Sequence, residues 1–252
     1  MQLFYCKDIS TTGFCTLDAE ESRHAVRVLR LREGDEINVT DGCGNLFCCK
    51  IISANDRSCT IETLHAVSHH TTDDTEDATC CVATDMPRIH LAVAPTKNPS
   101  RMEWLVEKAV EIGVGEITLL NCDHSERSFL KTDRLEKLAI SAMKQSLHTI
   151  LPEIHPAISL KDWLRSPIST LQSPLKFIAH CEADKPRMPL ATALLPSKDA
   201  VVLIGPEGDF SDEEIALALE CGFLPVSLGP ARLRTETAAL YAVTAFNLIN
   251  DR

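Results

Sequence analysis

The sequence predicts an α/β protein in two parts: a small, mostly β N-terminal domain, then a larger domain of strands alternating with helices over a parallel sheet. Three observations predict it. Between Glu36 and Val67, short apolar runs are joined by turn-rich residues. From Arg88 onward, five short apolar runs alternate with amphipathic helical patterns, the mark of a parallel sheet covered on both faces. Between these regions, SHHTTDDTEDATCCVATDMP is polar, acidic and without apolar periodicity, and reads as a linker. The expected boundaries are therefore 1–67, 68–87 and 88–252.

In the N-terminal part, Asp18–Arg32 has Asp18 followed by Glu21, a capping-box spacing, and predicts a helix. Arg23, Arg27 and Arg30 would share one face of it. Glu36–Thr40 and Leu46–Ile52 are strand-like and flank the turn-forming Asp41–Asn45, which suits a hairpin. Ser58–Val67 supplies a further strand. A core of this size is marginal alone, so a barrel supported by the larger domain is expected.

In the C-terminal part, Ile89–Ala94 opens the series of strands. Pro99-Ser100 then starts a helix over Arg101–Ile112 that stops at Gly113. Glu116–Leu120 is the next strand and Lys131–Leu147 a long amphipathic helix, after which Pro152 and Pro156 end the region. Lys161–Leu164 suggests a short helix and Pro167–Pro174 is irregular. Leu175–Ala179, Ala200–Ile204 and Phe223–Leu228 are strands. Ser211–Glu220 is a helix with a Ser211/Glu214 capping box, and Thr235–Ile249 is the last helix.

Composition narrows the chemistry. With 44% apolar and 24% charged residues in 252, the chain has the balance of a soluble globular protein. No run reaches the roughly 18 apolar residues of a membrane helix, and MQLFYCKDIS lacks the pattern of a secretory signal. A net charge of −11 argues against non-specific coating of nucleic acid. The eleven cysteines include no CxxC, so no metal is expected, His69-His70 included, and the thiols read as reduced cytosolic residues. The absence of GxxxxGK[ST], GxGxxG and GxSxG disfavours phosphoryl transfer, hydride transfer and acyl hydrolysis.

Two junctions remain. Val201–Ile204 ends in Gly205-Pro206-Glu207-Gly208, and a second apolar run ends in Leu228-Gly229-Pro230, followed by Leu233-Arg234-Thr235-Glu236-Thr237. Glycines at strand ends let a ligand approach the backbone, and open α/β sheets bind ligands at the carboxyl ends of their strands. One composite pocket is expected there. Residues 23–32 carry four arginines and no acid, whereas residues 1–70 hold seven basic against ten acidic residues, so RNA affinity in that domain would have to come from the arginines.

Several stretches carry a family resemblance: RHAVRVLR at 23–30, MEWLVEKAVEIGV at 102–114, SERS at 125–128, LPEI at 151–154, LIGPEG at 203–208 and LGPARLRTETAAL at 228–240. Together they resemble the RsmE family of 16S rRNA uridine N3-methyltransferases, within the SPOUT superfamily. The resemblance covers nearly everything except 68–87. It implies a PUA-like β-barrel RNA-binding domain followed by a SPOUT domain with a deep trefoil knot. It also implies S-adenosylmethionine as cofactor, 16S rRNA or the small ribosomal subunit as partner, a cytoplasmic location and a homodimer through the knotted domain, with neither membrane nor metal.

The implied cofactor residues are Ile204, Gly205, Pro206, Gly208, Leu228, Gly229, Leu233, Arg234, Thr237 and Ala238, with His180 and Cys181 as neighbours. For chemistry, Arg234 is the candidate stabiliser of carbonyl or phosphate charge, Glu236 the candidate base or positioning group, and Glu207 the holder of its loop. RNA would meet Arg23, Arg27 and Arg30, with Lys97 and Arg127. The sequence departs from the family pattern at Asp209, where a second glycine is common, and at His148, where an arginine is frequent. The alternatives are a tRNA ribose 2′-O-methyltransferase of the same superfamily and a catalytically silent RNA-binding ribosome-assembly factor.

Overall fold

A computed structural model describes residues 2–67, 86–126, 131–166, 171, 174–182 and 186–250. Most of the expected linker, His69-His70 and Arg127 lie outside the described residues. The chain divides into two compact units, Met1–Asp85 with Met143–Leu151, and Met86–Ala142 with Pro152–Arg252.

The first unit is built on a five-stranded sheet of β1 (Leu3–Tyr5), β2 (Gly13–Thr16), β3 (Glu36–Thr40), β4 (Leu46–Ser53) and β5 (Thr60–Ala66), in the order β1-β3-β4-β5-β2. Alternation turns Ile37 and Val39 of β3, Phe47, Cys49 and Ile51 of β4, and Ile61 of β5 into one core with Phe4 and Leu17. The two outermost strands, β1 and β2, are three and four residues long, too short for the sequence pattern to mark them.

The expected helix over Asp18–Arg32 is different in form. Asp18 does cap, accepting from the amides of Glu20 and Glu21, but the α-helix α1 covers only Ala19–Arg23. A π-helical turn follows over His24–Val28, closed by Leu29 N donating to His24 O at 3.0 Å. Arg30 is then left-handed at φ 58°. The α-helical spacing of Arg23, Arg27 and Arg30 therefore does not translate into one α-helical stripe. The buried Glu21 does not complete a capping box; its carboxylate instead accepts from Tyr5 N at 3.4 Å and pairs with Lys144.

The second unit holds a seven-stranded, all-parallel sheet: β6 (Ile89–Val93), β7 (Glu116–Asn121), β8 (Glu153–Ser159), β9 (Leu175–Ala179), β10 (Met188–Pro189), β11 (Ala200–Ile204) and β12 (Leu224–Ser227). Its order is β10-β12-β9-β11-β6-β7-β8. Strands β6 and β11 are buried at every residue, as expected for central strands covered on both faces.

The helices are α2 (Pro99–Ile112), α3 (Thr132–Gln145), α4 (Leu160–Arg165), α5 (Leu190–Ala193), α6 (Asp212–Glu220) and α7 (Thr235–Ile249). Asn98 caps α2, Pro99 occupies its first turn, and Gly113 ends it at φ 102°. The Ser211/Glu214 capping box of α6 forms as expected. Pro156 does not end the region: it lies within β8, where the ladder with β7 is irregular between Thr118 and Leu120. An outermost strand tolerates a residue without an amide proton.

Candidate functional site

β9, β11 and β12 are adjacent in the sheet, so the loops leaving their carboxyl ends meet. They enclose a cavity of about 510 Å³, within the range typical of small-molecule sites. The loop after β9 contributes His180, Cys181 and Arg187, and the loop after β11 contributes Gly205, Pro206, Glu207 and Asp209. The segment from β12 to α7 contributes Leu228 through Thr235, and Ile204 and Ala238 form the floor with Ala179 and Val226.

Of the expected cofactor residues, His180, Cys181, Ile204, Gly205, Pro206, Leu228, Gly229, Leu233, Arg234 and Ala238 line this cavity. Gly208 and Thr237 do not. Gly208 faces the turn after β7, where a Cβ would stand 3.0 Å from His124 Cβ. Thr237 is exposed on the first turn of α7. Thr235, two residues earlier, is the threonine in the wall. Its hydroxyl donates to Gly205 O at 3.0 Å and ties the start of α7 to the end of β11. Only the Arg234–Thr237 register distinguishes the two threonines, and apolar periodicity does not resolve it.

The two glycines act differently. A Cβ at Gly205 would lie 3.1 Å from the Phe210 ring, so its small size serves packing within its own loop. Gly229 has φ 112° and nothing within 4 Å of where a Cβ would be, so there the cavity reaches the backbone.

Arg234 sits at the N-cap of α7 without a side-chain cap bond. Its guanidinium makes no hydrogen bond or ion pair with the described residues and is available to the cavity. Arg232 shares that condition, and Arg187 donates to His180 O. Motif reading gave neither a role: Arg187 lies outside the glycine-proline junctions, and Arg232, inside LGPARLRTETAAL, carries no signature of its own.

Glu207 lines the cavity and its Oε1 accepts from Lys97 N at 3.2 Å, joining the loop after β6 to the loop after β11. Lys97 is exposed and its ammonium pairs with Glu126 at 2.7 Å, which raises its pKa. Glu236 does not line the cavity. It is buried, with Oε1 3.8 Å from Arg101 Nε and Oε2 without a hydrogen bond among the described residues.

Asp209 is held at φ 64°. Its Oδ2 accepts from Cys181 N at 2.7 Å and its Oδ1 from Phe210 N at 2.9 Å. Burial first, then the Asp209 carboxylate, raises the Cys181 pKa, with Arg232 and Arg187 opposing. The thiol stays protonated at neutral pH and is no nucleophile there. In the first unit, Arg23 and Arg30 are exposed, and Arg27 is engaged by Asp56.

Three loops presenting backbone edges and apolar walls suit a neutral heterocycle, and the guanidiniums of Arg232 and Arg234 beside them suit an anionic group on the same ligand.

Comparison with known proteins bears on the same segments. A family model described as an RNA methyltransferase domain matches residues 84–247, and one described as an RNA methyltransferase PUA domain matches residues 17–64. A probable rRNA-methyltransferase from Porphyromonas gingivalis has a crystal structure similar at TM-score 0.85 and 39% identity, covering 100% of this chain and 99% of that one. The ribosomal RNA small subunit methyltransferase E of Neisseria gonorrhoeae, solved bound to S-adenosyl methionine, is similar at TM-score 0.76 and 27% identity over 99% and 98% of the two chains. The curated ribosomal RNA small subunit methyltransferase E of Buchnera aphidicola (strain APS) is 28% identical over 94% of this chain and 89% of its own. Matched in both of its parts and along nearly its whole length, the chain belongs to the RNA methyltransferase domain family, beside the ribosomal RNA small subunit methyltransferases E.

Proposed function

We propose that this protein is an S-adenosylmethionine-dependent methyltransferase acting on N3 of a uridine in 16S rRNA. The observation that carries the reading is the cavity at the ends of β9, β11 and β12, walled by backbone from three loops, in a chain of this family. The residues fit the cofactor. The edges at Gly205, Leu228 and Gly229 suit an adenine, Ile204, Leu233 and Ala238 give apolar contact, and the open space at Gly229 admits close approach. When bound, S-adenosylmethionine supplies an electrophilic methyl group.

The rest of the chemistry belongs to the chain. Uracil N3 carries a proton and is a weak nucleophile, so the site must orient the base, assist loss of that proton and stabilise the charge that spreads onto the carbonyls. Arg234, in the cavity wall and without a hydrogen bond or ion pair among the described residues, is the group to meet the developing anion. Glu207 holds its loop through Lys97 N. Glu236, buried beside Arg101, serves as a positioning carboxylate at the start of α7. Arg23 and Arg30, exposed on the first unit, offer guanidiniums to RNA phosphates, and the base must be unstacked to reach the cavity.

The finer architecture is part of the same proposal. The C-terminal segment is threaded as a trefoil knot, for which the Thr235–Gly205 tie and the crowding of three loops speak. The domain boundaries fall near 67 and 88, with the first domain binding RNA. A second copy covers Trp104, Tyr241 and Leu248, exposed on the mutually packed α2 and α7. The protein works in the cytoplasm, where its substrate is made. The test is mass spectrometry of 16S rRNA, free and in small subunits, after incubation with protein and S-adenosylmethionine. A new methyl on uridine N3 is expected, and none in either substrate refutes the reading.

A further inference from the structure

Asp209 stands in the left-handed region of the backbone. Its φ is 64°, a conformation that aspartate enters more readily than most residues with a Cβ because its short carboxylate can hydrogen-bond nearby, yet at a cost that glycine does not bear. The compensation is visible: both carboxylate oxygens are used, Oδ2 by Cys181 N at 2.7 Å and Oδ1 by Phe210 N at 2.9 Å. The first bond joins residues 28 apart, between the loop after β9 and the loop after β11. These are two of the three walls of the cavity, and Asp209 and Cys181 both line it.

The backbone carbonyl of Asp209 is also engaged. His124 Nδ1 lies 3.1 Å from it and 3.2 Å from Gly208 O, and donates when it carries the proton. The loop after β11 is therefore held on its outer side by His124 and on its cavity side through Cys181. Glu207, the other carboxylate from this loop in the wall, reaches toward Lys97 N and does not join the loop after β9.

We infer that Asp209 is a positioning residue of the donor pocket, whose carboxylate staples the loop after β9 to the loop after β11 and so preforms the wall against which the methyl donor binds. The inference rests on the donor-pocket reading above. It assigns Asp209 no contact with the reacting atoms: it acts through the backbone amide of Cys181. A preformed wall raises affinity because ordering it is not charged against binding.

The geometry separates this role from a merely structural one. Glycine adopts φ 64° without strain, so Asp209→Gly removes the staple and the backbone penalty together. Asparagine tolerates the left-handed region but has one acceptor oxygen, so Asp209→Asn recovers one of the two bonds. Asp209→Ala loses the staple and keeps the strain.

The experiment measures three quantities on wild type and the three variants: S-adenosylmethionine affinity by calorimetry, thermal midpoint without ligand, and hydrogen exchange at the Cys181 amide. For Asp209→Gly the expected result is affinity reduced tenfold or more, faster exchange at Cys181, and a midpoint unchanged or raised. Asp209→Asn should fall between glycine and wild type in affinity. Asp209→Ala should lose both affinity and midpoint. Wild-type affinity together with wild-type Cys181 exchange in Asp209→Gly overturns the inference. So does a midpoint that falls in proportion to affinity, since that marks a general structural role. If the wild type itself does not bind S-adenosylmethionine, the donor-pocket reading fails. The exchange at Cys181, which needs no ligand, then still decides whether the staple exists.

Discussion

Gly229→Ala is the sharpest probe of the cavity wall. Gly229 holds φ 112°, and a Cβ added there meets no atom within 4 Å. The substitution therefore introduces backbone strain and no clash with the protein. A residue with a Cβ forced to positive φ costs about 1–2 kcal/mol. In a protein of this size about 1 kcal/mol corresponds to roughly 2–4 °C of melting temperature, so a fall of about 2–8 °C is expected. The added methyl also projects into the open space beside the Leu228–Leu233 wall, where a ligand would lie. S-adenosylmethionine affinity should drop at least about tenfold, or about 1.4 kcal/mol. Differential scanning calorimetry and isothermal titration read the two effects separately. A variant that melts like wild type refutes the strained backbone at Gly229. One that melts lower yet binds the donor with unchanged affinity refutes the placement of the ligand against it.

Arg234→Ala should reduce methyl transfer by about 10²–10³-fold, the scale of losing one charge-stabilising group, while the circular dichroism spectrum and melting temperature stay close to wild type; turnover like wild type would remove its role. Thr235→Val keeps volume but leaves Gly205 O without its donor. A loss of about 1–3 kcal/mol by urea unfolding is expected, and Thr235→Ser should restore most of it. His90 is buried between Glu116 and Thr118, and burial lowers its pKa from 6.5 to about 4 against the opposing pull of Glu116. Protonation thus favours the unfolded chain: its contribution, on the order of 3 kcal/mol, is complete above pH 6.5 and is lost as pH falls from 6.5 toward 4. His155, whose pKa is raised chiefly by a hydrogen bond to Glu116, has the opposite sign. It stabilises below 6.5 and ceases to do so above its raised pKa. Urea titrations of wild type and His90→Asn across pH 4–8 should show the steep acid limb only in the wild type, and identical limbs would refute the assignment.

How much of this was legible in the sequence follows from where the information lies. The central strands of the second unit announced themselves because burial on both faces demands unbroken apolar runs such as Val201–Ile204. Helix α2 was legible at both ends, through Pro99 and Gly113, and α6 at its start, through Ser211 and Glu214, because such signals are written in adjacent residues. What escaped depends on partners distant in sequence. β1 and β2 have three and four residues and no pattern of their own. Pro156 reads as a breaker until its strand is known to lie at the sheet's margin. The arginine stripe assumed α-helical spacing, and the π-helical turn at His24–Val28 changed it.

The same contrast explains the uneven reading of the site. The glycine-proline junctions were visible because backbone geometry restricts residue type locally. The parts played by Arg187, Arg232 and Asp209 were not, although Arg232 lies within LGPARLRTETAAL and Asp209 marks a departure from the family pattern: nothing local requires an arginine or an aspartate there, and each acquires its role only when three strand ends converge. This also separates two kinds of carboxylate that a motif lumps together. Glu236 lies in the most recognisable stretch, yet it is buried against Arg101 and away from the cavity. Asp209 lies where the family pattern is interrupted, yet it joins two of the cavity's walls. In a site made largely of backbone, the side chains that matter include those that fix one loop against another, and proximity to a motif is a weak guide to them.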